Sequence, residues 1–336
     1  MANSIASNVN ILVVRFSAMG DVAMLVPIID SFAATFPSLQ ITFLTDRRFV
    51  PLFAHLPNNV CVVGADIHGR HDGIKGIWTL LHEIGYRKFD LFIDLHGVWR
   101  SRFMRLIFSF VGTPTFSIKK CYVDRWLLVH GFSSLALKPV QQRYVDVFCR
   151  AGFDFNLGSL SHCFIPLADR KDIGIAPFAK HKNKIYPLFR MKNVVARLNE
   201  EMVNRGGHIY LFGGGKEEQV VLEEWASLFP NVVSLAGRKT LSEEMDIIGH
   251  LRVMLSMDSA NMHMASIAGT RVVSIWGATS PRCGFYDFNQ SYGDVIELDL
   301  PCRPCSIYGK RPCRYKDLRC MDIDENIIIT KVLEYL

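Results

Sequence analysis

The sequence predicts an α/β protein built from two Rossmann-like, doubly wound halves that face a central cleft. Short aliphatic and β-branched runs alternate along the chain with segments of helical periodicity, which is the pattern of βαβ units in a parallel sheet. This alternation fades between residues 157 and 171 and then restarts. A chain of 336 residues also suits two domains of about 150 residues each. We therefore expect one domain over residues 1–165 and a second over 166–336.

The first half is predicted to contain five strands and four helices. Its opening strand, residues 11–14, is wholly apolar, which is typical of a strand buried on both faces of a sheet. The other strands are predicted at residues 39–45, 60–63, 89–95 and 113–118, and the helices at 21–36, 76–84, 101–110 and 141–152.

The second half shares this rhythm without a detectable sequence repeat of the first. Strands are predicted at residues 172–176, 208–212, 232–235, 253–256 and 271–275, and helices at 192–204, 216–228, 241–251, 261–268 and 326–336. Ligands of such sheets bind outside the carboxyl ends of the strands. The residues that follow each strand are therefore the candidates for function.

Composition and charge narrow the classes of function. Hydrophobic residues make up 49% of the chain and charged residues 21%, as in a globular protein. The net charge of +6 does not predict nucleic-acid binding at this length, but it fits an anionic ligand or an anionic membrane surface. No segment approaches the roughly 18 apolar residues of a transmembrane helix, and the N-terminus lacks signal-peptide features. We therefore expect a cytoplasmic protein.

The first βα turn carries the strongest candidate for chemistry. Residues 17–20 interrupt the apolar pattern, and Asp21 opens the helical segment that follows. Local pattern alone therefore puts the Asp21 carboxylate at the edge of a ligand crevice, beside backbone N–H groups. An aspartate at the start of a helix is also a common cap, so a catalytic role and a capping role are both open.

Two further loops of the second half are candidates to contact phosphate groups. Gly213 begins a triple glycine that lets backbone approach a phosphate, but the loop matches neither of the common nucleotide-binding glycine motifs. A plain flexible turn is an equally open interpretation. Lys184 lies in a basic loop after the strand at 172–176, where it either faces a diphosphate or belongs to a solvated surface.

The turn at residues 258–263 is more specific. Asp258, Ser259 and Ala260 join a strand to a helix, and the exposed N–H groups of such a turn suit a diphosphate. His263 falls in the first turns of that helix, close to an anion bound at its end. The loop at 276–281 follows the neighbouring strand and is expected at the same edge of the sheet.

Four cysteines near the C-terminus form a C-x2-C-x7-C-x6-C pattern, at Cys302, Cys305, Cys313 and Cys320. The first pair has the spacing of zinc ligands, but the second pair does not repeat it. A structural zinc site, reduced thiols and a disulfide all remain open for this cluster.

Taken together, these motifs resemble the bacterial heptosyltransferases of lipopolysaccharide core synthesis, which form glycosyltransferase family 9. The resemblance runs from about residue 10 to the C-terminus. The motifs are Arg-Phe-Ser-Ala-Met-Gly-Asp-Val at 15–22, Asp-Leu-His-Gly at 94–97 with Arg-Ser-Arg at 100–102, Lys-Ile-Tyr-Pro at 184–187, Asp-Ser-Ala-Asn-Met-His at 258–263 and Trp-Gly-Ala-Thr at 276–279. Tyr186 stands where the family usually has tryptophan.

The resemblance implies a GT-B fold and an inverting transfer of a heptose or related sugar that needs neither a metal nor a cofactor. It implies that Asp21 is the general base, which takes a proton from the acceptor hydroxyl. It also implies an ADP-sugar donor, whose leaving diphosphate is stabilised by Lys184 and the turn at 258–263. The acceptor would be an anionic glycolipid or core oligosaccharide, with peripheral contact at the inner face of the inner membrane. The residues implied for the acceptor are Ser17, Gly20, Arg47, Arg48, Arg100 and Arg102.

Two other readings of the chain stay open. One is another GT-B enzyme acting on a sugar nucleotide, such as an epimerase, which would require further acid and base carboxylates. The other is a catalytically inactive binding protein that keeps the fold, in which the change Asp21→Asn would have no effect.

Overall fold

The computed structural model describes residues 9–158, 170–286 and 290–336, which form two compact α/β units. Of these residues, unit 1 contains 9–120 and 140–158, and unit 2 contains the rest. The predicted domain boundary at residues 165 and 166 lies outside the described residues. Residues 121–139 were predicted to belong to the first domain, but they pack with unit 2.

Each unit is built on one parallel sheet. The sheet of unit 1 has the order β3-β2-β1-β4-β5, and that of unit 2 has the order β11-β10-β9-β6-β7-β8. The strands are β1 Asn10–Val14, β2 Gln40–Asp46, β3 Val60–Ala65, β4 Leu91–Asp94, β5 Thr115–Ser117, β6 Ile173–Ala176, β7 Ile209–Leu211, β8 Val232–Ser234, β9 Val253–Met257, β10 Arg271–Trp276 and β11 Val295–Glu297.

Helices connect the strands. They are α1 Met19–Ala23, α2 Val26–Thr35, α3 Gly73–Glu83, α4 Trp99–Phe110, α5 Tyr122–Val129, α6 Val140–Arg150, α7 Leu188–Arg205, α8 Lys216–Leu228, α9 Leu241–His250, α10 Ala260–Ile267 and α11 Glu325–Leu333. Among the described residues, no helix is long and apolar enough to span a bilayer.

The order of strands reverses once in each sheet. In unit 1 the chain builds outward from β1 through β2 and β3, and then returns to add β4 on the other side of β1. In unit 2 the same reversal places β9 beside β6, on the side away from β7. Such switch points open a crevice at the carboxyl ends of the two strands, because their connections leave in opposite directions. The β1/β4 and β6/β9 ends are therefore the two places where this fold favours ligand binding.

The helix predicted at residues 21–36 is two helices, α1 and α2, with a break at Met24 and Leu25. Pro27 explains the break, because it lies at the second position of α2. A proline in a first helical turn loses no hydrogen bond, whereas a proline in the interior of one long helix would remove one.

Two elements escaped the sequence analysis, α5 and β11. Helix α5 buries only Leu128 and exposes several large apolar side chains, so its pattern is not that of an ordinary amphipathic helix. Strand β11 has three residues and pairs with the edge of β10, where Ser274 is opposite Val295. A strand this short gives little periodicity to detect.

The core of each unit lies between the sheet and its helices. In unit 1 the Phe92 ring of β4 stacks on the Phe108 ring of α4 with centroids 4.6 Å apart. In unit 2 the side chains of Val253, Leu255 and Met257 on β9 are fully buried. Each such side chain stabilises the fold by about 1.5–3 kcal/mol. These rigid sheets hold the loops at the two switch points in place.

Candidate functional site

The first site lies where β1 ends, at the switch point of unit 1. Asp21 is the third residue of α1, and Gly20 is the second. The Asp21 Oδ2 atom accepts the Ala18 N–H at 3.4 Å and lies 2.8 Å from Nη2 of Arg15. The capping contact foreseen for Asp21 is thus present. The same carboxylate also has a cation beside it, which a helix cap does not require.

Arg15 is held by several contacts besides Asp21. Its Nη1 donates to the Leu95 carbonyl at 2.5 Å, and its guanidinium lies 5.3 Å from the Tyr144 ring centroid. The residue is only 8% exposed. A guanidinium fixed in this way presents one geometry to the carboxylate. Sequence reasoning passed over Arg15, although a charged residue directly after a buried strand was a usable signal.

His96, at the end of β4, orients Ser17. The His96 Nδ1 atom accepts the Phe16 N–H at 3.4 Å, so in the neutral ring the hydrogen is on Nε2. Nε2 lies 3.2 Å from the Ser17 Oγ and donates to it. The Ser17 hydroxyl hydrogen is then available as a donor for another group.

Burial, together with the positive charges of Arg15, Lys120 and Arg100, lowers the pKa of His96 to about 3. The imidazole is therefore neutral at pH 7. Asp94 shapes the same loop, because its buried Oδ1 accepts the N–H groups of His96 at 2.9 Å and Gly97 at 2.7 Å.

The arginines predicted to bind the acceptor do not behave alike. Arg47 pairs with Asp66 at 3.2 Å and Arg48 pairs with Asp46 at 2.6 Å. Both ion pairs lie at the carboxyl ends of β2 and β3. Arg102 is exposed on α4.

Arg100 pairs with Asp72 at 2.7 Å, yet its charge also lowers the pKa of His96. Arg100 therefore lies close enough to His96 for its charge to act on the imidazole. Arg47, Arg48 and Arg100 are all engaged by carboxylates.

The second site lies at the switch point of unit 2. Lys184 Nζ is 2.8 Å from Asp258 Oδ2, and the Thr279 hydroxyl donates to the same oxygen at 2.6 Å. The sheet order explains this meeting, because β9 lies between β6 and β10. The loop after β9 carries Asp258, and it is flanked by Lys184 from the loop after β6 and Thr279 from the loop after β10.

Further cations surround Lys184. Burial lowers the pKa of His181, and the charges of Lys184, Lys180 and Lys310 lower it as well. Gly309 packs against Lys184, since a Cβ there would lie 2.5 Å from the lysine Cδ. The Lys184 stem is therefore confined, and its ammonium belongs to a cluster of positive charge that suits an anion.

The turn predicted to bind a diphosphate is an uncapped helix start. Ser259 is the N-cap of α10, but its side chain makes no capping bond to the helix, and its Oγ lies 3.3 Å from the Ser256 Oγ. Ala260 begins the helix, so its first N–H groups keep their capacity to bind an anion. His263 is buried in the second turn of α10.

Gly213 lies in a loop whose hydrogen-bonding capacity is partly used. The Glu218 carboxylate accepts the Gly214 N–H at 2.7 Å, and burial raises the pKa of Glu218. A Cβ on Gly213 would lie 2.8 Å from Leu222. The glycine is thus needed for close packing. The Glu218 carboxylate lies beside the loop and, when ionised, would repel a phosphate bound there.

Arg303 supports the second site and was missed by the sequence analysis. Its guanidinium donates to the carbonyls of Trp276 at 3.0 Å, Gly277 at 2.6 Å and Thr279 at 2.8 Å. It also pairs with Glu297 at 2.7 Å. Arg303 thereby fixes the loop that carries Thr279. Arg303 lies between Cys302 and Cys305, in a motif that was considered only for its possible metal ligands.

The other motif residues have structural roles. Tyr186 is fully buried, and its hydroxyl donates to the Ile323 carbonyl at 2.6 Å. Cys302, Cys305, Cys313 and Cys320 form no disulfide, and burial raises the pKa of Cys320 to about 11. Within residues 9–158, 170–286 and 290–336, no three histidine, cysteine or acidic side chains are arranged to hold a metal ion.

The family of the chain follows from its sequence. Residues 77–316, which include the second switch-point site and His96 of the first, match the family described as glycosyltransferase family 9 (heptosyltransferase). The chain belongs to glycosyltransferase family 9. It is therefore a glycosyltransferase, and the predicted family and enzyme class are confirmed.

Individual relatives agree with this assignment over most of their length. The lipooligosaccharide heptosyltransferase 2 of Haemophilus influenzae is 24% identical over 300 residues, which are 81% of this chain and 84% of the relative. The structure of Escherichia coli ADP-heptose lps heptosyltransferase II has a TM-score of 0.68 at 18% identity, covering 97% of this chain and 98% of its own. The structure of E. coli heptosyltransferase WaaC with ADP has a TM-score of 0.69 at 16% identity, covering 97% and 100%. The predicted α/β fold of the GT-B class is confirmed.

Proposed function

We propose that this chain transfers a heptose, or a closely related sugar, from an ADP-sugar to the core of a lipopolysaccharide or another lipid-linked glycan. Membership of glycosyltransferase family 9 supports transfer of a heptose. The names of the relatives support the two substrates, because one is a lipooligosaccharide heptosyltransferase, one is named for ADP-heptose and one holds ADP.

The observation that carries the proposal is the Lys184 ammonium at the β6/β9 switch point. It is held 2.8 Å from Asp258, beside the uncapped start of α10. A nucleoside diphosphate supplies the negative charge that these groups are built to receive. Lys184 would exchange Asp258 for a phosphate oxygen when the donor binds, and the flexible stem of a lysine permits this exchange.

Asp21 is the general base of the proposed reaction. A sugar hydroxyl is a weak nucleophile, and a positioned carboxylate that accepts its proton makes the oxygen reactive. The Arg15 guanidinium holds the Asp21 carboxylate in one orientation. The Ser17 hydroxyl, oriented by His96, donates to an oxygen of the acceptor and so fixes the reacting sugar.

The reaction is a single displacement. The acceptor oxygen forms a bond to the anomeric carbon as the bond from that carbon to the diphosphate oxygen breaks, which inverts the anomeric configuration. The hydroxyl proton goes to Asp21, and the bonding electrons leave with ADP. Lys184 and the N–H groups of α10 stabilise the charge that develops on the leaving diphosphate. With these groups in place the transfer requires neither a metal ion nor a cofactor.

The arrangement also suggests roles for Glu218 and Arg100. Glu218 beside the Gly213 loop suits hydroxyl groups of the donor rather than its phosphates, because a carboxylate accepts hydrogen bonds from hydroxyls. Arg100, whose charge acts on His96, suits an anionic group of the acceptor. A lipid-linked acceptor also places the enzyme at the cytoplasmic face of the inner membrane.

The decisive experiment incubates the purified protein with ADP-heptose and a heptose-free core oligosaccharide in EDTA. The proposal predicts release of one ADP per sugar transferred and a product of inverted anomeric configuration, read by NMR. A matched UDP-sugar should give no turnover. An isomerised sugar nucleotide without transfer would instead identify an epimerase, and ADP binding without any reaction would identify an inactive binding protein.

A further inference from the structure

One surface of unit 2 exposes many large apolar side chains. Helix α5 and the loop after it leave five of them in solvent, with exposed fractions from 52% for Trp126 to 77% for Leu135. Scattered apolar side chains on a surface are ordinary, whereas a contiguous group marks a binding surface. The five residues are Tyr122, Val123, Trp126, Phe132 and Leu135.

These side chains form one face. Along an α-helix, residues 122, 123 and 126 lie within an arc of about 100°, with residue 128 on the opposite side. Leu128 is the buried residue of α5, so the helix turns the other three outward. The Trp126 ring stacks on the Phe132 ring with centroids 5.3 Å apart, which extends the apolar face into the following loop.

The face is anchored by other residues. Leu128 and Leu137 pack with the buried Cys283, and the Leu137 N–H donates to the Arg282 carbonyl at 2.8 Å. Arg125 donates to the Tyr308 hydroxyl at 2.7 Å. The exposed apolar side chains are therefore not needed to hold α5 on unit 2.

Positive charge borders this face. Arg311 lies 3.3 Å from the ring of His130, which directly follows α5. Arg314 and Lys316 come three and five residues after Arg311 and are exposed. Three residues of chain span at most about 11 Å, so the backbone of Arg314 lies within that distance of Arg311. Among the described carboxylates, Asp317 pairs with Arg319, and none pairs with Arg314 or Lys316.

We propose that this basic-aromatic surface, formed by the five apolar residues with Arg311, Arg314 and Lys316, docks unit 2 on an anionic lipid bilayer. Tryptophan and tyrosine suit the boundary between lipid and water, and each basic side chain near an anionic bilayer contributes favourable binding free energy. The proposal deepens the acceptor part of the proposed function, on which it rests, because a lipid-linked acceptor lies in such a bilayer.

A bilayer fits this surface better than a second copy of the chain. Two copies meeting through the same surface would bring the basic side chains of both together, and like charges repel. An anionic bilayer instead offers phosphate groups to the cations and an apolar layer to the aromatic rings.

The test is co-sedimentation of the full chain with vesicles of phosphatidylcholine alone or with about 30% phosphatidylglycerol. The chain is expected to pellet with the anionic vesicles and to be released by salt. Trp126→Ser with Phe132→Ser, and separately Arg314→Glu with Lys316→Glu, should each weaken this partition about tenfold or more. Circular dichroism establishes that the variants are folded.

Matched controls change similar residues elsewhere in unit 2. Phe189→Ser alters an aromatic that is 71% exposed on α7, and Arg197→Glu with Lys239→Glu makes the same change of charge. Both controls should pellet like the wild type. Equal binding by the test variants and the wild type would overturn the proposal. Self-association that the test variants abolish, without vesicle binding, would overturn it in favour of a dimer surface.

Activity separates this proposal from the proposed function. The test variants should transfer sugar to a water-soluble, lipid-free acceptor at the wild-type rate, because the surface touches no substrate. On acceptor embedded in anionic vesicles, their rate should fall with their binding. A wild-type chain that binds the vesicles but transfers no sugar would refute the proposed function alone, whereas normal transfer without vesicle binding would refute the docking surface alone.

Discussion

Each unit carries a carboxylate paired with a cation at its switch point. In unit 1 the carboxylate is the more exposed member of the pair, whereas in unit 2 it is the cation. In unit 1 the Asp21 side chain is 20% exposed and the Arg15 side chain 10%. In unit 2 the Lys184 side chain is 14% exposed and the Asp258 side chain 7%. In both pairs, the member to which we assign contact with substrate is the more exposed one. In the proposed function, one unit thus presents a base and the other presents a cation that stabilises the leaving diphosphate.

The buried partners also differ in how they are held. Arg15 is fixed by the Leu95 carbonyl and the Tyr144 ring as well as by Asp21. Asp258 accepts a hydrogen bond from the Thr279 hydroxyl on the same oxygen that pairs with Lys184. We expect the first pair to stay intact through the reaction, because Asp21 needs a constant orientation. We expect the second pair to open when the donor binds, because the proposed function requires Lys184 to reach the diphosphate.

The largest effect should come from Asp21→Asn. An amide cannot accept the proton of the acceptor hydroxyl, so kcat should fall about 10³-fold. Steady-state release of ADP in the presence of acceptor measures this loss. Asp66→Asn, which changes an aspartate paired with Arg47 away from the switch point, is the control and should keep the wild-type kcat. Turnover by Asp21→Asn at the wild-type rate would remove Asp21 as the base.

The next effect should come from Lys184→Ala. Loss of a charged hydrogen bond to the diphosphate should weaken ADP binding roughly 10- to 100-fold. Calorimetric titration with ADP measures the change. Lys192→Ala, which removes a lysine paired with Glu224 on the surface, should leave the affinity for ADP unaltered. An unchanged affinity in Lys184→Ala would mean that the diphosphate binds elsewhere.

A smaller effect is expected from Arg15. Arg15→Lys keeps the charge, but a lysine cannot contact the Leu95 carbonyl and the Asp21 carboxylate at once as the guanidinium does. We therefore expect kcat to fall about tenfold while the KM for the donor stays constant. Steady-state kinetics at varied donor concentration separates the two constants. A rise of the donor KM alone would show that Arg15 acts on the donor and not through Asp21.

The smallest effect at neutral pH should come from His96→Gln. The glutamine amide can donate to Ser17 as the neutral imidazole does, so activity at pH 7 should be nearly kept, whereas His96→Phe should lose acceptor affinity. The variant His96→Phe therefore tests the hydrogen bond, and His96→Gln is its conservative control.

The pH dependence of stability tests the same residue. Burial lowers the pKa of His96 to about 3, from about 6.5 in the unfolded chain. Between these values the unfolded state binds more protons, so this residue lowers the free energy of unfolding as the pH falls from 6.5 toward 3. His96→Gln should lose less stability over that range, measured by urea unfolding. Parallel loss in both proteins would contradict a buried, neutral His96.

The sequence predicted the fold well where strands are apolar and long enough to be read. It also marked Asp21, Lys184 and the turn at 258–263, because each lies in the connection that follows a predicted strand. It could not reveal which of these residues meet, since that depends on the order of strands in each sheet. Only the placement of β9 between β6 and β10 brings Asp258 to both Lys184 and Thr279.

The supporting residues were harder to predict for a physical reason. Arg15 and Arg303 act through contacts with backbone carbonyls far away in the sequence, and a carbonyl leaves no mark in the sequence. Helix α5 was missed because its exposed face is apolar, which reverses the pattern on which prediction depends. The same reversal is what makes that helix a candidate binding surface.

The central claim is that unit 1 supplies the base and unit 2 binds ADP. Its most direct test is calorimetric titration of ADP, in the presence of EDTA, into the wild type and Asp21→Asn. The account predicts that both proteins bind ADP with equal affinity and without a metal, while only the wild type transfers sugar. Loss of ADP binding in Asp21→Asn, or binding that EDTA abolishes in both, would contradict it.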